Sequence, residues 1–113
     1  MAATIYQPAL VGEALVSQGQ FTTAVTAAQV QAGQLIKGAA GRLCRVLVTT
    51  ATTASQAITF YDNASAGSGT IVGIIPGSTA AGTITDFEMP CANGIYIGAN
   101  ASLAAGAITV SWL

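Results

Sequence analysis

The chain has 113 residues, of which seven carry a formal charge and none is histidine, while 52% are apolar. A soluble domain ordinarily covers itself with roughly a quarter charged residues, so Thr, Ser, Gln, Asn, Gly and Ala must form most of this surface, a composition suited to lasting contact with other protein. The same scarcity removes most side chains from which general acids, general bases and metal sites are built, and a net charge of −1 with three cations excludes the phosphate-neutralising footprint of a nucleic-acid binder.

A chain of this length has room for one domain and one core. Its mean hydropathy is +0.63, yet every apolar stretch is interrupted by Thr, Gln, Ser or Gly well before about 18 residues accumulate, so no membrane-spanning helix is expected. Residues 1–8 lack a basic region, and Ala9-Leu10-Val11 is broken by Gly12 and Glu13, so no export signal is expected either.

Residues 1–33 are rich in Ala, Gln and Thr, with scattered large apolar side chains (Ile5, Tyr6, Leu10, Val11, Leu15, Val16, Phe21, Val25, Val30) that are too few for an independent core. They read as an extended amino-terminal arm for docking or oligomer contact, with Glu13 as its one charge. Within the arm, Leu15-Val16 and residues 21–25 suit an added edge strand, and residues 26–31 suit one helical turn. Residues 34–113 read as the body. β-branched and aromatic runs recur there between Gly, Asn, Ser and Pro, at 34–37, 42–50, 56–61, 70–75, 82–88, 94–97 and 107–112. The expected fold is all-β, an antiparallel, jelly-roll-like β-sandwich of seven to eight short strands. Gly and Thr recur too often, and no apolar stripe persists long enough, for a helical alternative.

Alternation sets Ile108, Val110 and Trp112 on one face of the last strand, and Ile58 and Phe60 opposite Tyr61. The expected core is Leu43 or Cys44 with Val46, Val48, Ile58, Phe60, Ile71, Ile84, Phe87, Ile95, Ile97, Ile108 and Val110. Residues 62–69 have the composition of a hairpin loop, while Pro76-Gly77-Ser78 and Asn93-Gly94 supply further turns, and residues 98–102 open the last connection.

Candidate chemistry is sparse. Without histidine, a Ser or Cys nucleophile would need Lys37 or a carboxylate as its base, and neither a Ser-x-x-Lys spacing nor a nucleophile elbow occurs, so no enzyme and no catalytic residue is expected. Cys44 and Cys91 read as two reduced thiols, Cys44 serving as a small core hydrophobe; a disulfide between them is the alternative. Asp86 and Glu88 flank Phe87, so their carboxylates share a strand face; a hard cation bridging them with Asp62 is one reading, a solvated face the plainer one, and no metal or cofactor is expected. Gly67-Ser68-Gly69-Thr70 lacks the Lys and the following helix of a phosphate loop. Asn63-Ala64-Ser65 and Asn100-Ala101-Ser102 match the glycosylation sequon, which composition alone produces often. Lys37, Arg42 and Arg45 lie close in sequence and read as ordinary solvated or interfacial charges. Exposed aromatics anchor interfaces or stack on sugars. Tyr61 and Tyr96 fall opposite the expected core, and Trp112 at the core or a subunit seam. With Ile5, Tyr6, Leu10, Val11, Leu15 and Phe21 they are the candidate interface residues.

One resemblance adds to this. Residues 57–63 with their Gly69-Thr70-Ile71 partner, then Asn93-Gly94-Ile95-Tyr96-Ile97, then the closing Thr109-Val110-Ser111-Trp112, together resemble the small β-sandwich structural proteins of tailed bacteriophages. There, a strand ending in Tyr-Asp-Asn turns through a Gly-Ser-rich hairpin, an Asn-Gly-aliphatic strand follows, and a Thr-Val-x-aromatic strand closes the chain. The similarity covers about residues 42–113 and leaves the arm unmatched. It implies a virion component made in the bacterial cytoplasm, a capsid decoration (cement) protein. Such a protein forms homotrimers on the capsid exterior, binds the major capsid protein and bridges capsomers, without cofactor, nucleic acid or membrane. Two other readings stay open: a head-fibre or tail-associated adhesin that binds host glycans, and a secreted carbohydrate-binding or pilus-like module, which would require export and an oxidised Cys44–Cys91 pair.

Overall fold

The computed structural model describes residues 21–113 as an antiparallel β-sandwich. Eight strands run β1 (Phe21–Val25), β2 (Gln34–Lys37), β3 (Gly41–Thr50), β4 (Ile58–Tyr61), β5 (Ile71–Ile75), β6 (Ile84–Cys91), β7 (Ile95–Ile97) and β8 (Ala107–Trp112), with one short helix, α1 (Ala27–Ala32), between β1 and β2. The first sheet has the order β1-β8-β3-β6 and the second β2-β7-β4-β5. Only β4 and β5 are consecutive strands paired within one sheet, and residues 62–69 are their loop, as the sequence predicts. Every other connection crosses between sheets, so the chain winds around a single core.

Residues 21–33, grouped with the arm on composition, are packed into this body. β1 forms the edge strand expected there, in register with β8 from Phe21 opposite Trp112 to Val25 opposite Ile108. Thr26 then starts α1 with a reciprocal cap. Its hydroxyl accepts from Gln29 N–H at 3.3 Å, while the Gln29 side chain accepts from Thr26 N–H at 2.9 Å. The fully buried Val30 carries the helix into the core, and its carbonyl accepts from Asn100 N–H at 3.0 Å in the last connection. The candidate contacts Ile5, Tyr6, Leu10, Val11 and Leu15, and the Leu15-Val16 strand, lie outside the described residues.

Alternation builds most of the core as expected: Val46, Val48, Ile58, Phe60, Ile95, Ile97, Ile108 and Val110 are all buried. Leu43 and Cys44 are both buried because a bulge follows Leu43 in β3, which lets consecutive side chains leave solvent. Phe87 is partly buried against the core, its ring 5.9 Å from that of Phe60. Two expected core residues lie outside instead. Ile84 is 63% exposed because Val46 stands opposite Thr85, which turns Thr85 inward and Ile84 outward beside Leu47. Ile71 is 48% exposed because Val72 is an extra residue in β5; Val72 and Gly73 both face inward, and Ile71 reappears on the outer side opposite Tyr61. Val25, Val30, Val72, Ile75, Cys91 and Leu103 complete the core.

Candidate functional site

Strand register assembles an apolar row across the outer face of the second sheet. Leu35 of β2 stands opposite Tyr96 of β7, Tyr96 opposite Tyr61 of β4, and Tyr61 opposite Ile71 of β5. All four strands of the sheet thus contribute one large side chain to a single line. Leu35 and Ile71 at its ends are about half exposed, the two tyrosines between them are half-buried, and Ile74 adds a further exposed isoleucine on β5.

Glycines let the tyrosine rings lie down on the sheet. A Cβ placed on Gly98 would stand 2.6 Å from Tyr61 Cε2, and one on Gly33 would stand 3.2 Å from Tyr96 Oη, so each ring occupies space that any other residue would fill. The β4–β5 loop closes over the same region, since a Cβ on Gly67 would come within 2.6 Å of Gly98 Cα. Asn63 shapes that loop: its Oδ1 accepts from Ser65 and Ala66 N–H at 2.9 and 3.0 Å, and its Nδ2 donates to Ser68 O at 3.0 Å. The amide of Asn100 is likewise committed, donating to Ala57 O at 2.9 Å. Both sequon asparagines therefore use their amide nitrogens to hold backbone.

The two other candidate aromatics among the described residues, Phe21 and Trp112, meet on the first sheet. Phe21 stacks on Trp112 with ring centroids 4.8 Å apart, Trp112 Nε1 donates to Thr23 Oγ1 at 2.9 Å, and Lys37 Nζ lies 5.8 Å from the indole centroid. Phe21 remains half exposed. Tyr61 and Tyr96 are thus brought together, as are Phe21 and Trp112, but the two pairs lie on different sheets. Sequence reasoning missed Leu35 and Ile74 as neighbours of the tyrosines, and it paired Ile71 with the Tyr61 strand but placed it in the core. The unbroken apolar run Ile71-Val72-Gly73-Ile74-Ile75 was the available signal, because a strand with one wet face cannot turn five consecutive apolar residues inward.

Each charge among the described residues has a neighbour within the chain. Arg45 Nε contacts Asp86 Oδ1 at 2.8 Å, and Arg42 Nε lies 3.9 Å from Glu88 Oε1. Glu88 sits at φ +53°, where β6 gains an extra residue opposite β3. The two acids thus face arginines, and Asp62 is engaged elsewhere; among the described residues no group of three potential ligands gathers around a metal position. These partly exposed pairs contribute at most about 1 kcal/mol each. Cys44 and Cys91 are free and buried, and burial pushes both thiols above their ordinary values, away from reactive thiolate character. Among the described residues no helix is long and apolar enough to cross a membrane.

Asp62 is the structural hub beside the row. Its Oδ1 accepts from Asn93 and Gly94 N–H at 2.8 and 3.2 Å, and its Oδ2 from Ala92 N–H at 3.1 Å, which ties the β4 end to the β6–β7 turn. Those bonds, led by the one from Asn93, hold its carboxyl below the usual carboxylate range. A folded-state pKa below the unfolded one stabilises the fold above the unfolded value, near pH ~3.9, and the contribution disappears as pH falls through the folded value. Asp62→Asn is therefore expected to melt lower than the parent at about pH 7, and the gap to narrow on acidification to about pH 3. Thermal melts of both proteins across that range measure it, and a constant gap would show that the charge of Asp62 does not matter. Compared with protein-family models, with curated proteins and with solved structures, the chain matches none of them.

Proposed function

We propose that the chain is a non-enzymatic virion structural protein, a capsid decoration (cement) protein that binds the major capsid protein on the outside of a phage head and strengthens contacts between capsomers. The observation that carries this reading is the uncharged row of Leu35, Tyr96, Tyr61 and Ile71 across the second sheet, in a body whose two arginines lie beside acids of β6 on the first sheet. Such a face suits a permanent apolar contact, because burying it strands no unpaired charge. A cement protein acts by repeating a modest contact many times over a shell. The strand order also supports the jelly-roll form of the sandwich, since it is the order that results when one long antiparallel ribbon is wound into two sheets.

Purified virions that encode this chain test the reading. Particle density is expected to contain it on the head exterior, and occupancy is expected to fall when residues 2–20 are deleted or when Leu35→Lys puts a charge in the row. Absence from the particles would sink the proposal. Full occupancy of the deletion variant would instead remove the arm from the docking surface. The half-exposed tyrosines also favour a second reading, an adhesin that stacks host glycans on Tyr61 and Tyr96. Glycan-array binding that is lost in Tyr61→Ala and Tyr96→Ala would support the adhesin over the cement protein.

A further inference from the structure

A sheet edge is a row of unpaired backbone donors and acceptors, and proteins blunt such rows with charge, proline, bulges or short length. Two edges of this sandwich are blunted in that way. β6 carries Asp86, Glu88 and Pro90 together with its bulge, and β2 is four residues long, ends in Lys37 and shifts register before it. β1 interposes Thr22 and Thr23 and follows directly on residues 1–20. β5 also has an extra residue at Val72, but it alone of the four edges is apolar throughout. It is five apolar residues, Ile71-Val72-Gly73-Ile74-Ile75, with no charge and no proline, it pairs only with β4 among the described residues, and Ile71 and Ile74 are 48% and 47% exposed. Left open, such an edge is an aggregation hazard.

We propose that β5 is a self-association strand, pairing antiparallel with β5 of a second copy of this chain so that Ile71 of each copy stands opposite Ile74 of the other. For a second copy, the burial pattern selects the register. Partners across an antiparallel pair point to the same side, and β5 reads exposed, buried, buried, exposed, buried. Setting Ile71 opposite Ile74 of the second copy aligns exposed with exposed twice over. It also aligns Val72 with Gly73 of the second copy, buried with buried. A shift that sets Gly73 against Gly73 would instead oppose exposed Ile71 to buried Ile75. Charge points the same way, since no ionised side chain on β5 meets its own copy, whereas self-pairing of β2 or β6 would bring Lys37 or the acids near theirs. The contact is isologous and closes at two copies. It joins two four-stranded sheets into one of eight strands and extends the apolar rows of both copies, since Ile71 stands opposite Tyr61 in each.

A two-fold assembly departs from the three-fold one that the phage resemblance implies, and mass in solution separates them. Light scattering on the purified full chain is expected to give twice its 11.2 kDa mass, and Ile71→Lys/Ile74→Lys, which opposes lysine to lysine, is expected to return it to one. Register is read separately. Mixed Ile71→Cys and Ile74→Cys chains are expected to form covalent dimers under mild oxidation, while either alone does not, because only the mixture places sulfurs directly across the pair. A monomer at millimolar concentration, a trimer, or a dimer whose mass survives the lysine substitutions and whose mixed cysteines fail to link would overturn the pairing. Its fate is separate from that of the cement reading: dimers absent from virions would leave the pairing standing, and monomers that decorate heads would do the reverse.

Discussion

Phe60→Ala is expected to destabilise the fold by about 3–5 kcal/mol, the range for emptying a buried aromatic site. Phe60 is fully buried at the centre of the second sheet, with Ile97 opposite on β7 and Gly73 opposite on β5. Its ring meets that of Phe87 across the sandwich at 5.9 Å, and Phe87 itself lies against Gly73, where a Cβ would stand 3.0 Å from the ring. Truncation therefore removes the wedge between the two sheets and leaves Phe87 without its neighbour. A domain of this size is stable by roughly 5–15 kcal/mol, so the loss is a large share of the whole. Urea denaturation measures it, with Phe60→Leu as the comparison, expected to cost less than about 1.5 kcal/mol because volume is nearly kept. Equal losses in the two variants would mean that the aromatic pair, rather than the cavity, dominates.

The second large effect belongs to Gly94, and its cause is space. A Cβ there would stand 2.6 Å from Lys37 O, 2.7 Å from Asn63 O and 2.9 Å from Ala64 Cα, all backbone atoms from two separate segments. None can rotate away as a side-chain tip would. The same residue donates its N–H to Asp62, so displacing it also strains the anchor of the β6–β7 turn. Gly94→Ala is expected to cost about 1–3 kcal/mol or more, the range for overpacking, in a residue change that is often neutral elsewhere. Thermal melts give the stability term, and quenching of Tyr61 and Tyr96 emission reports whether the neighbouring row moves. A melting temperature equal to that of the parent would show that these two segments yield freely.

These effects bear on function because rigidity is what the proposed contact requires. The tyrosines of the row are seated on Gly98 and Gly33, and the loop above them is fixed by Asn63 and Asp62. A face built in this way loses little conformational entropy on docking.

Much of this architecture was legible in the residues. The runs 34–37 and 107–112 match β2 and β8 at both ends, the edge strand 21–25 matches β1, and the helical turn expected at 26–31 is α1, one residue later at each end. Those features are local, since alternation and turn residues act within a few positions of one another. The inward turn of Phe87 between two acids was legible for the same reason. Ile71 and Ile84 were not, because each sits beside a departure from period two or in a register set by another strand. Nor did the sequence disclose that Asp62 would be consumed by the Asn93-Gly94 turn, a contact between segments distant along the chain.

By itself, then, the sequence determined an all-β domain with few charges and no histidine, since composition and short-range periodicity suffice for both conclusions. Only the tertiary structure decided which outward residues stand together. Leu35, Tyr96, Tyr61 and Ile71 come from four strands scattered through the chain, and their alignment depends on cross-strand register, which no local pattern encodes.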